Sequence, residues 1–327
     1  MCESWWMSRS WPRLMLAGAL LLTGCNSAAT GTPTNGTTGS GVATSAGCSA
    51  AAAATAGTYE ETVTVGDQQR RYIVHVPTGY VADKPTPVVL TLHGSGSTAA
   101  QQMALTGIAD SSDKHGFVVI APQAVAGQWQ LPDYKGTTAV TDEATYLRTV
   151  MAEVDQKVCL DHSRQYASGM SLGSIMTFVL ACAQEQTFAA FGGVGATFYR
   201  PVCGQSPPAP IIYFHGGQDT VVPIGGGNVR GFDFSPVQQT MVDWAAHNRC
   251  APTPAKTQIG EATRFLWSGC AANADVDYYR VAGAGHTWPG GPVDVANLIE
   301  PTLGKTTRDV SANDLMWQFF SRYRLPT

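Results

Sequence analysis

The chain has 327 residues, of which 44% are hydrophobic and 13% are charged, and its formal net charge is −4 at pH 7. This composition is ordinary for a globular protein and offers no basic surface, so we expect no nucleic-acid partner. About 300 residues remain after an amino-terminal processing segment, which is enough for one large domain with a core that needs no metal. Nothing in the composition indicates a second folded domain.

The amino-terminal 24 residues have the features of an export signal. Two arginines precede the apolar stretch 14–22, which is too short to span a membrane as a helix. The run Leu22–Cys25 resembles the lipobox of bacterial lipoproteins. We therefore expect residues 1–24 to be a signal peptide and Cys25 to be acylated, with the membrane as a partner. The alternative is secretion without an anchor.

The segment that follows Cys25 consists mainly of Gly, Ser, Thr and Ala and carries no charge up to residue 47. Such a composition cannot bury a core, so we interpret residues 25–47 as a flexible, lipidated tether. Residues 48–327 are then the folded domain. This organisation predicts an exported protein that is held at a membrane, on the periplasmic or cell-surface side, or is secreted.

Cysteine usage agrees with export. Of the eight cysteines, Cys2 and Cys25 fall in the amino-terminal segments, and six remain. An even number in an exported chain favours disulfides over free thiols, although six cysteines allow fifteen connectivities. We favour a bond between Cys250 and Cys270, which flank a proline-containing segment. No spacing of cysteine and histidine suits zinc, so we expect no structural metal.

The folded domain begins with a predicted hairpin. Tyr59–Val65 and Arg70–Val76 alternate apolar and polar residues, and Gly66 lies in the turn between them. Apolar runs typical of strands buried on both faces follow. These predicted strands are 88–92, 117–121, 165–168, 191–194, 211–214 and 276–281.

Helical patterns separate the later strands. The clearest lie at 141–158, at 172–182 and at Ser311–Tyr323, where Ser311 stands three residues before Asp314 in a capping arrangement. Alternation of strand and helix predicts an α/β fold with a mostly parallel, doubly wound sheet and an antiparallel hairpin at its amino-terminal edge. Ligands of such sheets bind at the carboxyl ends of the strands.

A nucleophile motif lies at one of these strand ends. Gly169-Met170-Ser171-Leu172-Gly173 separates a strand-like run from a helix-like run, which is the setting of a nucleophile elbow. Small residues on both sides of Ser171 allow the sharp turn that exposes its hydroxyl. The pentapeptide alone is weak evidence, and Ser171 would otherwise be a helix cap.

The residues downstream strengthen the interpretation. Asp219 follows the predicted strand 211–214 and is the candidate acid, with Asp233 and Asp243 as alternatives. His286 lies in a glycine-rich loop after the last predicted strand and is the candidate base. The chain order Ser, Asp, His is that of α/β-hydrolases and differs from the orders of chymotrypsin and subtilisin.

Two backbone N–H groups are expected to form the oxyanion hole. One belongs to Leu172 at the start of the helix, where the helix dipole favours negative charge. The second comes from the His93-Gly94-Ser95 loop after the predicted strand 88–92, most simply from Ser95. We interpret His93 and His215, which both precede glycine, as residues that shape turns. Trp288 and Trp129 are candidates to bind substrate, and the alternative is that they belong to the core.

From about residue 45 onward the chain resembles the esterase family that contains polyhydroxybutyrate depolymerases and feruloyl esterases. The similar stretches are 92–94, 163–171, 214–219 and Gly285-His286-Thr287-Trp288-Pro289-Gly290. The last is the most specific. The resemblance implies Ser171, Asp219 and His286 as a catalytic triad, with Trp288 beside the acyl or phenolic group.

The expected function is that of an extracytoplasmic serine esterase. It would act without a cofactor, and we expect a monomer. The ester substrates implied by the resemblance are hydroxyalkanoate oligomers or phenolic esters of the feruloyl type. Soluble substrates are favoured because no additional module is present to bind an insoluble polymer. The alternatives are a peptidase of the same fold and a non-catalytic lipoprotein that uses the cleft for binding.

Overall fold

A computed structural model of the chain describes residues 45–49, 54–131, 142–183, 187–198 and 201–326. The predicted signal peptide, Cys25 and nearly all of the predicted tether lie outside the described residues. Within the described ranges, no helix is both long enough and apolar enough to cross a membrane.

Twelve strands are present in the described part of the chain. In chain order they are β1 Gly57–Val65, β2 Gln68–Val76, β3 Thr86–Leu92, β4 Val118–Pro122, β5 Leu160–Met170, β6 Ala190–Val194, β7 Ile211–Gly216, β8 Gly227–Val229, β9 Phe232–Phe234, β10 Ala255–Ile259, β11 Ala262–Trp267 and β12 Val276–Val281.

Ten of these strands form one sheet in the order β1-β2-β4-β3-β5-β6-β7-β12-β11-β10, and β8 and β9 form a separate hairpin. The neighbours from β4 through β12 are parallel, so the carboxyl ends of these six strands lie at one edge. The predicted amino-terminal hairpin is confirmed, because β1 pairs antiparallel with β2. The structure has the predicted α/β class with a mostly parallel sheet.

Seven α-helices of the described chain cover the sheet. They are α1 Ala99–Thr106, α2 Ile108–His115, α3 Asp142–Asp155, α4 Leu172–Ala181, α5 Val237–His247, α6 Val293–Leu303 and α7 Ala312–Phe320. The predicted cap of α7 is confirmed, since the Ser311 hydroxyl accepts a hydrogen bond from the Asp314 N–H at 3.2 Å.

The core has two parts because the sheet is covered on both faces. Leu90 of β3 packs in one cluster with residues of α3, α4 and α5, such as Trp244. Its neighbour Val89 packs in a second cluster with residues of α2 and α7, such as Phe320. Successive side chains of a strand point to opposite faces, so a run that is apolar at every position is required for this arrangement.

The sheet has a second antiparallel edge, which was not predicted from the sequence. β10 and β11 pair antiparallel, and β11 pairs antiparallel with β12. Four of the five residues of β10 are exposed, and the strand contains lysine, threonine and glutamine. A solvated edge strand does not need an apolar alternation, and this strand therefore has no hydrophobic pattern to read.

The predicted disulfide between Cys250 and Cys270 is confirmed. Two further bonds join Cys48 to Cys159 and Cys182 to Cys203. The Cys48–Cys159 bond spans 111 residues of sequence and fixes the start of the folded domain to the region before β5. All six cysteines counted in the sequence as disulfide candidates are thus paired.

Candidate active site

The loops that carry the candidate residues leave adjacent strands at the same edge of the sheet. Ser171 follows β5, Asp219 follows β7 and His286 follows β12, and the His93 loop follows β3. In the sheet, β3 is adjacent to β5, and only β6 lies between β5 and β7. Because parallel strands place their carboxyl ends together, positions far apart in sequence meet here.

Ser171 forms a strained turn between β5 and α4. Its backbone has φ 54° and ψ −118°, a conformation that costs a non-glycine residue on the order of 1–3 kcal/mol. The Ser171 N–H donates to the Val194 carbonyl at 2.8 Å, and its carbonyl accepts from the Ile175 N–H at 3.0 Å. These bonds hold the turn from both sides.

The two glycines of the motif are required by close packing. A Cβ on Gly169 would lie 2.3 Å from the Gly173 carbonyl oxygen. A Cβ on Gly173 would lie 2.1 Å from the carbonyl oxygen of Leu92, at the end of β3. The first turn of α4 therefore packs directly on the ends of β5 and β3, which the sequence interpretation of a nucleophile elbow requires.

Asp219 and His286 form a buried hydrogen-bonded pair. His286 Nδ1 lies 2.7 Å from Asp219 Oδ2, and the two side chains are 5% and 0% exposed. The other carboxylate oxygen, Oδ1, accepts hydrogen bonds from the N–H groups of Val221 and Val222 at 2.9 and 2.8 Å. With one oxygen satisfied by the backbone, the second is directed at the imidazole, so Nδ1 carries the proton.

The alternative acids lie elsewhere. Asp233 is in the β8–β9 hairpin and accepts a hydrogen bond from Asn228. Asp243 is on α5 and accepts from Gln239. Neither is bonded to His286, whereas Asp219 is.

The structure brings His286 against the elbow without a hydrogen bond between its ring and the Ser171 hydroxyl. A Cβ on Gly195 would lie 2.9 Å from His286 Cε1 and 3.3 Å from the Met170 side chain. Gly195 directly follows Val194, whose carbonyl holds the Ser171 N–H. The ring thus packs on the segment that supports Ser171. Catalytic hydrogen bonds are often long without substrate and shorten when it binds.

Two N–H groups beside Ser171 are available to an oxyanion. Leu172 is the first residue of α4, so its N–H has no acceptor within the helix. Within the described residues the Ser95 N–H also lacks an acceptor, while those of Gly96 and Ser97 bond Gly127 and Gly94. A Cβ on Gly94 would lie 3.3 Å from Ser171 Cβ, which places this loop against the nucleophile.

Both tryptophans that were candidates for substrate binding are buried. Trp129 is 4% exposed, and its indole N–H donates to the His93 carbonyl at 2.7 Å. Trp288 is 1% exposed, and its indole N–H donates to Asn313 at 3.0 Å. Their burial and bonding support the core alternative, in which Trp129 holds the His93 loop and Trp288 packs against the helices.

His93 is also buried and shapes its loop. Nδ1 lies 2.8 Å from the Gly94 carbonyl oxygen, and Nε2 accepts from the Ala124 N–H at 3.0 Å. These partners place the proton on Nδ1 and leave the ring neutral. Burial lowers the pKa of His93, which keeps it neutral.

Two residues near Asp219 and His286 were not predicted from the sequence to contribute to the active site. His215 has a fully buried side chain, and its Nε2 lies 3.7 Å from Asp219 Oδ2. Gly195, with φ +79°, makes room for the His286 ring. The available signals were the histidine four residues before the acid and the glycine that follows β6, but neither has a pattern that distinguishes it from a turn residue.

An apolar cluster adjoins the loops of Ser171 and Asp219. Its buried members are Ile175, Ala196 and Val222. Partly buried side chains pack against them, and these are Leu131, Leu172, Phe198, Val221 and Phe234. Leu172 directly follows Ser171, so a partly exposed apolar surface begins next to the nucleophile. Such a surface suits the apolar part of a small ligand.

Comparison with known proteins agrees with this geometry. A family model described as esterase PHB depolymerase matches residues 70–203. Feruloyl esterase C of Emericella nidulans is 24% identical over 273 residues, which cover 80% of this chain and 88% of that protein. Feruloyl esterase B of Piromyces equi is 25% identical over 228 residues, which cover 66% of this chain and 42% of that protein. The chain thus matches less than half the length of the Piromyces relative.

Solved structures show the same fold. An acetyl xylan esterase from Aspergillus awamori aligns with a TM-score of 0.52 and 17% identity, covering 75% of this chain and 98% of that one. A thermostable esterase aligns with a TM-score of 0.55 and 15% identity, covering 82% of this chain and 63% of that one. The sheet order and these likenesses show an α/β-hydrolase fold.

Proposed function

We propose that this chain is a carboxylic ester hydrolase of the family that contains polyhydroxybutyrate depolymerases and feruloyl esterases, and that it acts through an acyl-enzyme on Ser171. The observation that carries the proposal is the buried Asp219–His286 hydrogen bond of 2.7 Å beside the strained Ser171 turn. A serine hydroxyl is a weak nucleophile without an adjacent base, and an oriented imidazole provides one.

In the proposed reaction, the Ser171 Oγ attacks the ester carbonyl carbon while His286 Nε2 takes its proton. Asp219 stabilises the imidazolium through Nδ1–H, and the N–H groups of Leu172 and Ser95 bind the oxyanion. Collapse of the tetrahedral intermediate breaks the carbon–oxygen bond to the alcohol, which receives the proton from His286. Water then attacks the acyl-enzyme with His286 again as base, and the acid and Ser171 are released.

We propose phenolic esters of the feruloyl type as the preferred substrates, ahead of hydroxyalkanoate oligomers. The partly exposed apolar side chains beside Ser171, Leu172 and Val221 among them, favour an apolar or aromatic acyl group.

Purified protein lacking the residues before Cys48 tests the proposal. We expect hydrolysis of methyl ferulate with a kcat/KM at least tenfold above that of a 3-hydroxybutyrate dimer ester. Ser171→Ala is the matched control and is expected to lose both activities and labelling by a fluorophosphonate. Labelling of wild type with a preference for the hydroxybutyrate ester would reverse the substrate order. Absence of labelling and of both activities would instead favour the binding-protein alternative.

We propose an extracytoplasmic location for the enzyme. Three disulfides within the described residues support it, because disulfides persist in oxidising compartments. Anchoring through acylated Cys25 remains a proposal from the sequence. Mass spectrometry of the membrane-extracted protein should find Cys25 as the first residue with added acyl mass, and a mature terminus elsewhere without acyl mass would contradict the anchor.

A further inference from the structure

His215, at the end of β7, lies beside the acid of the active site, near the same carboxylate oxygen that bonds His286. Its Nε2 lies 2.9 Å from the Val222 carbonyl oxygen and 3.7 Å from Asp219 Oδ2. Its Nδ1 lies 2.6 Å from the hydroxyl of Tyr213, which is two residues earlier on the same strand. Both side chains are buried.

These partners determine the protonation of the ring. A carbonyl oxygen only accepts, so Nε2 carries the proton and donates it to Val222. Nδ1 is then an acceptor for the Tyr213 hydroxyl. Burial raises the pKa of Tyr213 well above its usual value and lowers that of His215 to about 4, so at neutral pH the tyrosine is a donor and the histidine is uncharged.

The ring influences both oxygens of the acid. The peptide of Val222 accepts from His215 through its carbonyl, while the N–H of the same residue donates to Asp219 Oδ1 at 2.8 Å. Nε2 also lies 3.7 Å from Oδ2, the oxygen that bonds His286, so the partial positive charge of the Nε2–H group is close to that oxygen. Tyr213 and Asp219 face the ring directly, and a positive charge formed on His286 would lie near enough to act on it.

We infer that His215 is a positioning residue that orients the Asp219 carboxylate toward His286, and that Tyr213 maintains its required tautomer. This inference rests on the proposed function. A neutral ring suits the role, because a buried cation 3.7 Å from Oδ2 would compete with the His286 imidazolium for the same carboxylate. The other tautomer would present a lone pair to both the carbonyl and the carboxylate, which repels them.

Two substitutions at His215 separate positioning from packing. His215→Leu removes the donor, whereas His215→Gln retains an amide N–H that can bond the Val222 carbonyl. We expect kcat on methyl ferulate to fall about 10- to 100-fold in His215→Leu, because displacement of a catalytic group by about 1 Å has effects of that size. KM should stay within about twofold, since His215 does not contact substrate. His215→Gln should recover most of the lost kcat.

Controls use residues of the same type at a distance from the site. His162, at the beginning of β5, pairs with Asp155 at 2.7 Å and lies toward the opposite end of the strand from Ser171. His162→Leu should leave kcat and KM unchanged. Tyr213→Phe removes the donor to Nδ1 and should lower kcat, and Tyr166→Phe, which removes a buried hydroxyl bonded to the Tyr323 carbonyl, should not.

The outcomes distinguish this inference from the proposed function. Wild-type activity that is lost in Ser171→Ala establishes the enzyme irrespective of His215. If folded His215→Leu then keeps kcat within about twofold of wild type, or if KM rises while kcat is unchanged, the positioning role is wrong. If His215→Leu does not fold, Tyr213→Phe decides: a selective loss of kcat relative to Tyr166→Phe supports the role, and equal kcat in the two variants overturns it.

Discussion

Substitution of Asp219 by asparagine should disable the base by reversing its tautomer. Asp219 Oδ1 accepts from two backbone N–H groups, so the amide oxygen of an asparagine must occupy that position. Its NH₂ group then takes the place of Oδ2, 2.7 Å from His286 Nδ1. The asparagine NH₂ and the Nδ1–H group of His286 would both be donors, so His286 must carry its proton on Nε2 and accept at Nδ1.

The expected loss of activity is large. With the proton on Nε2, His286 cannot accept the proton of Ser171 without first changing tautomer. The corresponding substitution in a serine protease triad lowers kcat by about 10⁴, or about 5.4 kcal/mol of transition-state stabilisation. We expect a similar loss here, because the two backbone donors leave the asparagine no alternative orientation. Stability should change little, since the volume is conserved and the backbone bonds persist.

Steady-state kinetics on methyl ferulate measures the loss, and the rate of fluorophosphonate labelling reports the reactivity of Ser171 without turnover. Asp243→Asn on α5 is the matched control, because Asp243 bonds Gln239 rather than His286. If Asp219→Asn retained kcat within about tenfold of wild type while correctly folded, the assignment of Asp219 as the acid would be refuted.

Three further predictions concern Gly195, the disulfides and His215. In Gly195→Ala the new Cβ would lie 2.9 Å from the His286 ring, so kcat should fall at least about tenfold as the ring is displaced. The φ of +79° should also cost about 1–2 kcal/mol of stability. Steady-state kinetics and thermal melting measure the two effects. Replacing Cys48 and Cys159 by serine should lower the free energy of unfolding in urea by about 4.8 kcal/mol, because their bond closes a loop of 111 residues. Loss of the Cys250–Cys270 bond, which spans 20 residues, should cost about 3.3 kcal/mol. An equal cost for the two bonds would contradict a loop-entropy origin. The pKa of His215 is about 4 in the folded protein and 6.5 in the unfolded chain. Its contribution to stability is therefore complete above pH 6.5, and about 3 kcal/mol is lost as the pH falls toward 4. Urea unfolding as a function of pH should show a smaller loss for His215→Gln over this range.

Local patterns in the sequence were sufficient for the main elements and for the positions of Ser171 and His286 as candidates. The alternation of apolar runs with helical stretches predicted the parallel sheet, and the glycines around Ser171 predicted the turn that the structure shows. Such patterns succeed because burial on both faces, helix capping and sharp turns each require particular residues within a few positions of one another.

Tertiary structure decided what depends on residues distant in sequence. The sequence left Asp233 and Asp243 as alternatives to Asp219, and the bond that distinguishes Asp219 joins it to His286 across 67 residues of chain. Local sequence also could not decide whether Trp129 is buried, which cysteine pairs with Cys48, or which groups contact His215. A glycine-flanked histidine in a turn and one that orients a carboxylate have the same local sequence, and only the packing of adjacent strand ends determines which charges and hydrogen-bond donors surround it.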